Sequence, residues 1–330
     1  MRIRIDGFPQ GAPDRAEEYL RDKLAGSIVD ALERHRVPLR PSSVLVSFTD
    51  TRVQAEPKLT RDKAKEETAD FSSLVCAPKP NAALLRLPSA TEESIQNAIR
   101  RFGVSAQVYK AWGLSQIDPT PRLSLNFFGP PGTGKTLAAH YIAHALGKKI
   151  LEVSYADIVS KYFGEAAKNL AELYRFSAES NSVLFIDEAE TLLSKRGSGQ
   201  SDGADHAINS MRSQLLILIE KTPILSIFSS NLVSSYDEAF LSRLISVPFD
   251  LPDESMRAEI WKAHLPSTLP IAPGVSVAQL ASNHPGLNGR QISRVVVEAA
   301  HRAAIAGKSA VSLDDFEWAI YSVKRINSAS

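Results

Sequence analysis

An apolar run that ends in a glycine-rich turn constrains this chain more than any other feature. Residues 129–136 read GPPGTGKT after Phe127 and Phe128, and a helical apolar pattern follows. This spacing, with a strand before it and a helix after it, is the P-loop. Glycines let backbone N–H groups surround an anion, and the positive end of the following helix adds to the attraction. The sequence therefore predicts a nucleoside triphosphate site formed by Gly129, Pro130, Pro131, Gly132, Thr133, Gly134, Lys135, Thr136 and Leu137.

Two of these residues have predicted roles of their own. The Lys135 side chain can reach the β- and γ-phosphates, and the Thr136 hydroxyl can ligate Mg²⁺. A second apolar run, 183–186, ends in Asp187 and Glu188. Asp187 is predicted to join Thr136 at the Mg²⁺, while Glu188 orients and deprotonates the attacking water. The alternative is a strand followed by a capping aspartate, but the position downstream of a P-loop favours the hydrolytic interpretation.

Composition limits the remaining possibilities. The chain has 330 residues, of which 44% are hydrophobic and 23% charged, as in ordinary globular proteins of two or three domains. The net charge of +1 provides no basic excess that would indicate nucleic-acid binding. The single cysteine, Cys76, fits a reducing compartment. Residues 1–7 carry charges where a signal peptide would be apolar, and no apolar run approaches the ~20 residues of a membrane span. We therefore expect a cytoplasmic location.

The predicted fold class is α/β. Apolar runs that alternate with helical patterns predict a P-loop parallel sheet with helices on both faces, followed by a small all-helical lid. A small α/β domain is expected to precede them. The predicted domains are 1–88 for the N-terminal domain, 89–121 for a helical linker, 122–251 for the nucleotide-binding subdomain and 252–330 for the lid.

The N-terminal domain contains no catalytic constellation. Its pattern predicts a strand at 2–5, a helix from Asp14 to about Arg36 and a strand at 44–48. This domain is expected to be a docking or regulatory module rather than a second active site. Further along, Trp112 precedes the P-loop strand and could cover an adenine ring, although packing is the commoner role of a tryptophan.

The motifs in this order resemble those of an AAA+ ATPase. The resemblance covers residues from about 108 to 325 and is nearest the AAA branch that includes protein unfoldases and complex-disassembling enzymes. Residues 129–136 are similar to Walker A and 185–188 to Walker B. Asn231 follows a strand where the family has its sensor-1 residue, which helps hold the water near the γ-phosphate. An asparagine in this place could also be a simple turn residue, but the motif order favours the sensor.

Two arginines have counterparts in the family. The segment 237–243, DEAFLSR, resembles the one that bears the arginine finger, so Arg243 would reach the γ-phosphate of a neighbouring subunit. Many relatives carry two arginines here and this chain carries one, which leaves Arg212 as the alternative. Arg290 opens a lid helix where many AAA+ proteins have the sensor-2 arginine. Members of the nearest branch often lack that residue, so Arg290 could also be an ordinary arginine at a helix start.

Residues 160–165, SKYFGE, resemble the pore loop with which threading AAA enzymes grip polypeptide. Lys161, Tyr162, Phe163 and Gly164 would form that grip, because exposed aromatic rings can hold side chains of any sequence. The alternative is that one ring packs against the helix that follows.

The resemblance implies an ATPase that uses ATP and Mg²⁺ in a homo-oligomeric ring, most simply a hexamer. Such a motor would remodel or unfold a protein substrate, selected directly or through an adaptor by the N-terminal domain. One alternative is a loader or translocase that acts on nucleic acid, which the neutral charge and the aromatic loop disfavour. Another is a nucleotide-dependent assembly switch with slow turnover.

Overall fold

The computed structural model describes residues 2–6, 43–47, 71–118, 121, 123–159, 166–194, 203–231 and 236–327, with the backbone alone at 2–6, 43–47, 203–206 and 326–327. Contacts divide the chain into two units, Met1–Glu66 and Glu67–Ser330. The first unit contains two parallel strands, β1 (Arg2–Asp6) and β2 (Ser43–Ser47). Both strands were predicted, whereas the predicted helix at 14–36 lies outside the described residues.

A six-stranded sheet forms the centre of the second unit, and its strand order is β3-β5-β6-β7-β4-β8. Every neighbouring pair is parallel except β3 with β5 at the edge. The predicted α/β class with a parallel P-loop sheet is thus confirmed. The strands are β3 (Val75–Cys76), β4 (Ser124–Phe128), β5 (Ile150–Ser154), β6 (Val183–Asp187), β7 (Ser226–Ser230) and β8 (Ile245–Pro248).

Alternating side chains of the central strands feed two separate hydrophobic cores. On β6, Val183 and Phe185 belong to one core, and Leu184 and Ile186 belong to the other. Successive residues of a strand point to opposite faces, so a strand covered on both sides must be apolar throughout. This explains why the strand before Asp187 reads as a continuous apolar run.

Helices cover both faces of the sheet. The core that contains Val183 also holds α1 and α2, and the core that contains Leu184 holds α3 to α7. The helices of this subdomain are α1 (Ser89–Ala106), α2 (Lys135–Ala145), α3 (Tyr155–Val159), α4 (Ala166–Glu179), α5 (Glu190–Leu193), α6 (Gly203–Lys221) and α7 (Glu238–Leu241).

The C-terminal part is helical, as predicted. Its core contains the fully buried Trp261 and Phe316, whose rings meet edge to face with centroids 6.0 Å apart. The lid helices are α8 (Glu254–His264), α9 (Val277–Asn283), α10 (Gly289–Ile305) and α11 (Leu313–Asn327). Of the helices that the structure describes, none combines the length and the apolar character needed to cross a membrane.

The structure differs from the sequence interpretation at three places. Residues 71–88 lie with the nucleotide-binding sheet, because β3 pairs with β5 and Leu87 joins its core. The contact boundary between Glu66 and Glu67 therefore falls earlier than residue 88. Helix α1, expected to be part of a linker, buries Ile95 against the same core. Strand β8 was not predicted; it lies at the edge of the sheet, where its terminal Pro248 is tolerated.

Candidate functional site

The P-loop joins β4 to α2 through three glycines with positive φ. The φ angles of Gly129, Gly132 and Gly134 are 141°, 79° and 106°. A Cβ at Gly129 would lie 2.0 Å from the backbone oxygen of Phe249, and a Cβ at Gly132 would lie 2.7 Å from the Asn288 side chain. Only glycine permits both this backbone and this close approach. The turn is therefore built by Gly129 and Gly134, which the sequence motif requires, and by Gly132, which stands at one of its variable positions.

Lys135, the first residue of α2, folds back over the P-loop. Its Nζ donates to the backbone oxygens of Gly129 at 2.7 Å and Pro130 at 2.9 Å. The same Nζ donates to Asn231 Oδ1 at 2.9 Å. Burial lowers the pKa of the Lys135 ammonium, an effect that the nearby carboxylates of Asp187 and Glu190 oppose. The lysine is thus a buried cation that is held in place by the loop it belongs to.

The sheet order brings the predicted acidic and amide residues to the same edge. Because β7 lies between β4 and β6, Asn231 at the end of β7 stands between the P-loop and Asp187. Glu188 adopts a left-handed backbone with φ of 54°, which costs a non-glycine residue about 1–2 kcal/mol. Its backbone N–H donates to Asp187 Oδ1 at 3.0 Å. This conformation ends β6 abruptly and leaves Glu188 exposed.

A cavity of about 650 Å³ unites these elements, a volume within the range of small-molecule sites. Gly129 and Pro130 do not line the cavity; their backbone oxygens accept hydrogen bonds from Lys135 Nζ. The predicted residues that line the cavity are Pro131, Gly132, Thr133, Gly134, Lys135, Thr136, Leu137, Asp187, Glu188, Asn231 and Arg290.

The lid closes one side of this cavity and touches the P-loop directly. Asn288 caps α10 by accepting from the backbone N–H of Gln291 at 2.9 Å. Its Nδ2 donates to the backbone oxygen of Pro131 at 3.1 Å, and the Arg290 N–H donates to that of Gly132 at 3.2 Å. The N-terminus of a lid helix, with its positive dipole end, therefore faces the phosphate loop.

The site fits a triphosphate. The backbone N–H groups of Gly132, Thr133 and Gly134 have no acceptor among the residues that the structure describes. Unpaired N–H groups in a partly buried turn call for an anion or water, and the adjacent helix start and buried lysine cation favour the anion.

The donor set also fits Mg²⁺. The described residues contain no group of three or more His, Cys, Asp or Glu side chains that could hold a metal by itself. Mg²⁺ bound with a nucleotide needs less than that, since phosphate oxygens and waters complete its shell. The Thr136 hydroxyl and the Asp187 carboxylate, which line the same cavity, are oxygen donors of the required kind.

Two of the remaining predicted positions lie elsewhere. Arg243 does not line the cavity; its Nε donates to Glu220 Oε1 at 2.6 Å and one terminal nitrogen donates to the Ala239 carbonyl at 2.8 Å. The alternative finger, Arg212, is 6% exposed and donates to Thr191 O and Ser194 Oγ. Its guanidinium is therefore buried and hydrogen-bonded within the same chain.

Two further expectations concern aromatic residues. The predicted grip, Lys161, Tyr162, Phe163 and Gly164, lies outside the described residues, between α3 and α4. Trp112 is 72% exposed and does not line the cavity, so neither of its two expected roles is found.

Sequence reasoning missed the apolar end of the cavity. The α8 pattern predicted a helix but gave no signal that two of its residues, Ile260 and His264, would line the cavity. The structure also adds a reason for glycine at position 134, because a Cβ there would lie 2.9 Å from Leu85 Cδ1. The lining residues that were not predicted are Asn81, Leu84, Leu85, Arg86, Ser229, Ile260, His264, Gly289, Ser293, Arg294 and Val297.

Comparison with known proteins gives a consistent result. Residues 125–250 match the model of the ATPase family associated with various cellular activities (AAA). The chain is 33% identical over 229 residues to 26S proteasome regulatory subunit 8 of Caenorhabditis elegans, covering 67% of this chain and 54% of that protein. It is 34% identical over 202 residues to the ATP-dependent zinc metalloprotease FtsH of Rhodothermus marinus, covering 58% of this chain and 29% of that protein.

A third relative matches over more of its length. The proteasome-activating nucleotidase of Methanoculleus marisnigri is 26% identical over 320 residues, which cover 90% of this chain and 77% of that protein. The chain spans about half the length of the proteasome regulatory subunits that it matches. The matched segment contains the P-loop, the Asp187–Glu188 pair and Asn231. Residues 125–250 of the chain therefore form a domain of the AAA family of ATPases.

Proposed function

We propose that this protein hydrolyses ATP in a ring of identical subunits and uses the energy to remodel or unfold protein partners. The observation that carries the enzymatic part is the convergence of Lys135, Asp187, Glu188 and Asn231 on one cavity. These residues follow three strands that are consecutive in the sheet, β6, β7 and β4, with Lys135 reached from β4 through the P-loop.

Each residue has a distinct task at this cavity. The P-loop N–H groups and Lys135 bind the phosphates, and Lys135 exchanges its contacts with the loop carbonyls for phosphate oxygens. Thr136 and Asp187 would hold Mg²⁺, which neutralises charge on the β- and γ-phosphates when it is bound. Glu188 accepts a proton from the attacking water. Asn231, hydrogen-bonded to Lys135, holds that water near the γ-phosphate.

The apolar end of the cavity suits a purine base. Leu84, Leu85, Ile260 and Val297 provide apolar surface, and His264 adds a flat ring whose Nδ1 lies 2.9 Å from the Ile260 oxygen. Base binding by apolar and aromatic side chains with a few polar groups is the usual arrangement of nucleotide pockets. The lid contributes part of this surface, so nucleotide binding and lid position are linked in the proposal.

A second subunit would complete the site. Arg243 is absent from the cavity lining, follows α7 in the chain and forms an ion pair with Glu220. A guanidinium supplied in trans neutralises charge that develops on the transferred phosphoryl group, and is worth roughly 10³–10⁵ in rate. A closed ring, most simply a hexamer, gives each cavity one such arginine from a neighbour. Arg290, from the same subunit's lid, would contact the phosphates on the other side.

Protein partners are the proposed substrates. Two of the relatives are named for the proteasome, one of them as its activating nucleotidase. The residues Tyr162 and Phe163 provide the aromatic grip that such work requires, and the net charge of +1 offers nothing for nucleic acid. The N-terminal unit, Met1–Glu66, would select the substrate or an adaptor. A cytoplasmic location remains part of the proposal.

The test is a comparison of Tyr162→Ala with Tyr321→Ala, which removes a tyrosine that is 65% exposed on α11. We expect Tyr162→Ala to keep the ATPase rate within a few-fold of the parent, because it changes no predicted Mg²⁺ ligand, base or arginine finger. Unfolding of a fluorescent protein that carries a long unstructured tail should collapse in Tyr162→Ala and persist in Tyr321→Ala.

Other outcomes would redirect the proposal. A fall in melting temperature together with loss of ATPase would place Tyr162 in the core, since truncating a buried aromatic costs about 3–5 kcal/mol. ATP turnover that is stimulated by DNA and depends steeply on salt would indicate a nucleic-acid motor. Stable nucleotide-bound oligomers with almost no turnover would indicate an assembly switch.

A further inference from the structure

Glu190 connects the two strand ends that carry the predicted catalytic groups. It is the first residue of α5, three positions after Asp187, and it does not line the cavity. Its Oε1 accepts a hydrogen bond from the backbone N–H of Asn231 at 2.5 Å. No motif in the sequence analysis singled this residue out.

The Asn231 N–H needs this acceptor because it lies beyond the sheet ladder. The pairing of β4 with β7 ends at Phe128 opposite Ser230, and the Gly129 N–H takes the Ser230 carbonyl. Asn231 is the next residue and is exposed. A carboxylate that accepts from a backbone N–H makes a charge-assisted hydrogen bond, which is roughly twice as strong as a neutral one. Glu190 therefore holds the backbone of Asn231, the first residue after β7, in place.

A second contact makes this link rigid. The Ala189 N–H donates to the Ser229 carbonyl at 2.9 Å. The adjacent residues Ala189 and Glu190 therefore bind to Ser229 in β7 and to Asn231 just after it. Glu188, in its left-handed conformation, immediately precedes Ala189 and Glu190. Asn231 in turn contacts Lys135 Nζ through its side chain. Hydrogen bonds thus connect Glu190 to Asn231 and Asn231 to Lys135. Together they fix the position of the segment after β6 relative to the P-loop.

From this arrangement we infer that Glu190 is a positioning residue for ATP hydrolysis, which acts by holding the Asn231 backbone so that its side-chain amide stays at the γ-phosphate end of the cavity. The inference rests on the proposed role of Asn231. It concerns the rate of the chemical step, because Glu190 itself has no contact with the cavity and its loss leaves the phosphate-binding N–H groups intact.

The experiment measures kcat, KM and melting temperature for Glu190→Ala, Glu190→Gln, Asn231→Ala and the double variant Glu190→Ala/Asn231→Ala. Glu190→Ala should lower kcat about ten-fold or more and change KM less than about three-fold, as expected for loss of a hydrogen bond to a charged group. Glu190→Gln keeps an oxygen acceptor and should lose less. Glu179→Gln makes the same chemical change at a glutamate that is 58% exposed on α4, and should match the parent.

The double variant decides between positioning and general destabilisation. Once the Asn231 amide is gone, removing Glu190 should lower kcat by no more than about two-fold further. Multiplicative losses, or a parallel rise in KM with a large fall in melting temperature, would overturn the inference. A normal kcat for Glu190→Ala beside an impaired Asn231→Ala would overturn it while leaving the proposed function intact. A normal kcat for Asn231→Ala would instead remove the proposed role of Asn231 itself.

Discussion

The contact between the lid and the P-loop yields the most quantitative prediction. Asn288 does two things at once: its Oδ1 caps α10, and its Nδ2 donates to the Pro131 carbonyl. Loss of an N-cap costs about 1 kcal/mol, and loss of a partly exposed hydrogen bond about 0.5–1 kcal/mol. Asn288→Ala should therefore lower the free energy of unfolding by about 1.5–2 kcal/mol. Asn288→Ser keeps a capping oxygen and should lose only about 0.5–1 kcal/mol.

These two variants should differ in stability and agree in nucleotide binding. For a domain of this size, about 1 kcal/mol corresponds to ~2–4 °C, so Asn288→Ala should melt a few degrees below Asn288→Ser. Both variants release Pro131, which lies in the phosphate loop, so both should weaken ATP binding by about two- to five-fold. Thermal denaturation and titration with a fluorescent ATP analogue measure the two quantities.

A matched control separates capping from the contact with the P-loop. Asp253 caps α8 by accepting from the Met256 N–H at 2.7 Å, and it has no contact with the phosphate loop. Asp253→Ala should lower the melting temperature as a lost cap does while ATP affinity stays at the parent value. The reasoning fails if Asn288→Ser binds ATP as well as the parent, or if Asp253→Ala weakens binding equally.

Three further predictions concern the site and its surroundings. Lys135→Ala should abolish detectable ATP binding, because it removes the buried cation. Glu188→Gln should instead bind ATP and fail to hydrolyse it, because it removes the base that accepts the proton of the attacking water. An equal loss of ATP affinity in both variants, measured by calorimetry, would contradict these roles. Burial and the nearby Lys79 lower the pKa of His140 below 6.5, so the unfolded chain takes up the proton first and stability should fall as the pH drops below about 6.5. The melting temperature of His140→Gln should depend less on pH in this range, and an identical pH profile would argue against the effect. Hydrogen bonds from Lys308 and Ser312 lower the pKa of Asp315 to about 2, so its contribution of about 2 kcal/mol should be present above pH 4 and lost as the pH falls through about 2. Urea denaturation should show the advantage of the parent over Asp315→Asn narrowing between pH 4 and 2, and a constant difference would refute this assignment.

Local motifs predicted the fold class and half of the cavity residues because their chemistry is contained in short segments. The P-loop glycines, the Asp187–Glu188 pair and the lid helices each carry their signal within a few neighbouring positions. The parallel sheet follows from the continuous apolar runs, since only strands covered on both faces can be apolar throughout. The carboxyl ends of such strands share one edge, which brings Asp187 and Asn231 to the P-loop.

Other features depend on contacts between distant segments, which periodicity does not reveal. Residues 71–88 join the sheet through the pairing of β3 with β5, and nothing in their composition indicates this partner. Strand β8 is a four-residue edge strand ending in proline, a poor strand signal. The contact between Glu190 and Asn231 could not be predicted without the strand order, which places β7 beside β6. The burial of Arg212 was likewise hidden, because a charged side chain at helical spacing normally indicates a solvated face.

The central claim is that ATP is hydrolysed at a site shared between two copies of the chain, and mixing two inactive variants tests it most directly. Lys135→Ala has a defective pocket and an intact Arg243, while Arg243→Ala has an intact pocket and no finger. In a mixed ring, the Lys135→Ala subunit can supply its arginine to the intact pocket of its neighbour. The ATPase rate should therefore rise to a maximum at an intermediate mixing ratio.

The control mixture pairs Lys135→Ala with Glu188→Gln, in which both variants keep Arg243 and neither has a working pocket. We expect no activity at any ratio of these two, although their subunits exchange in the same way. Native mass spectrometry should verify that mixed assemblies form in both experiments. A rate maximum for Lys135→Ala with Arg243→Ala, beside a flat profile for the control, is the result that the account predicts. A flat profile in both verified mixtures, or full activity of Arg243→Ala alone, would contradict it.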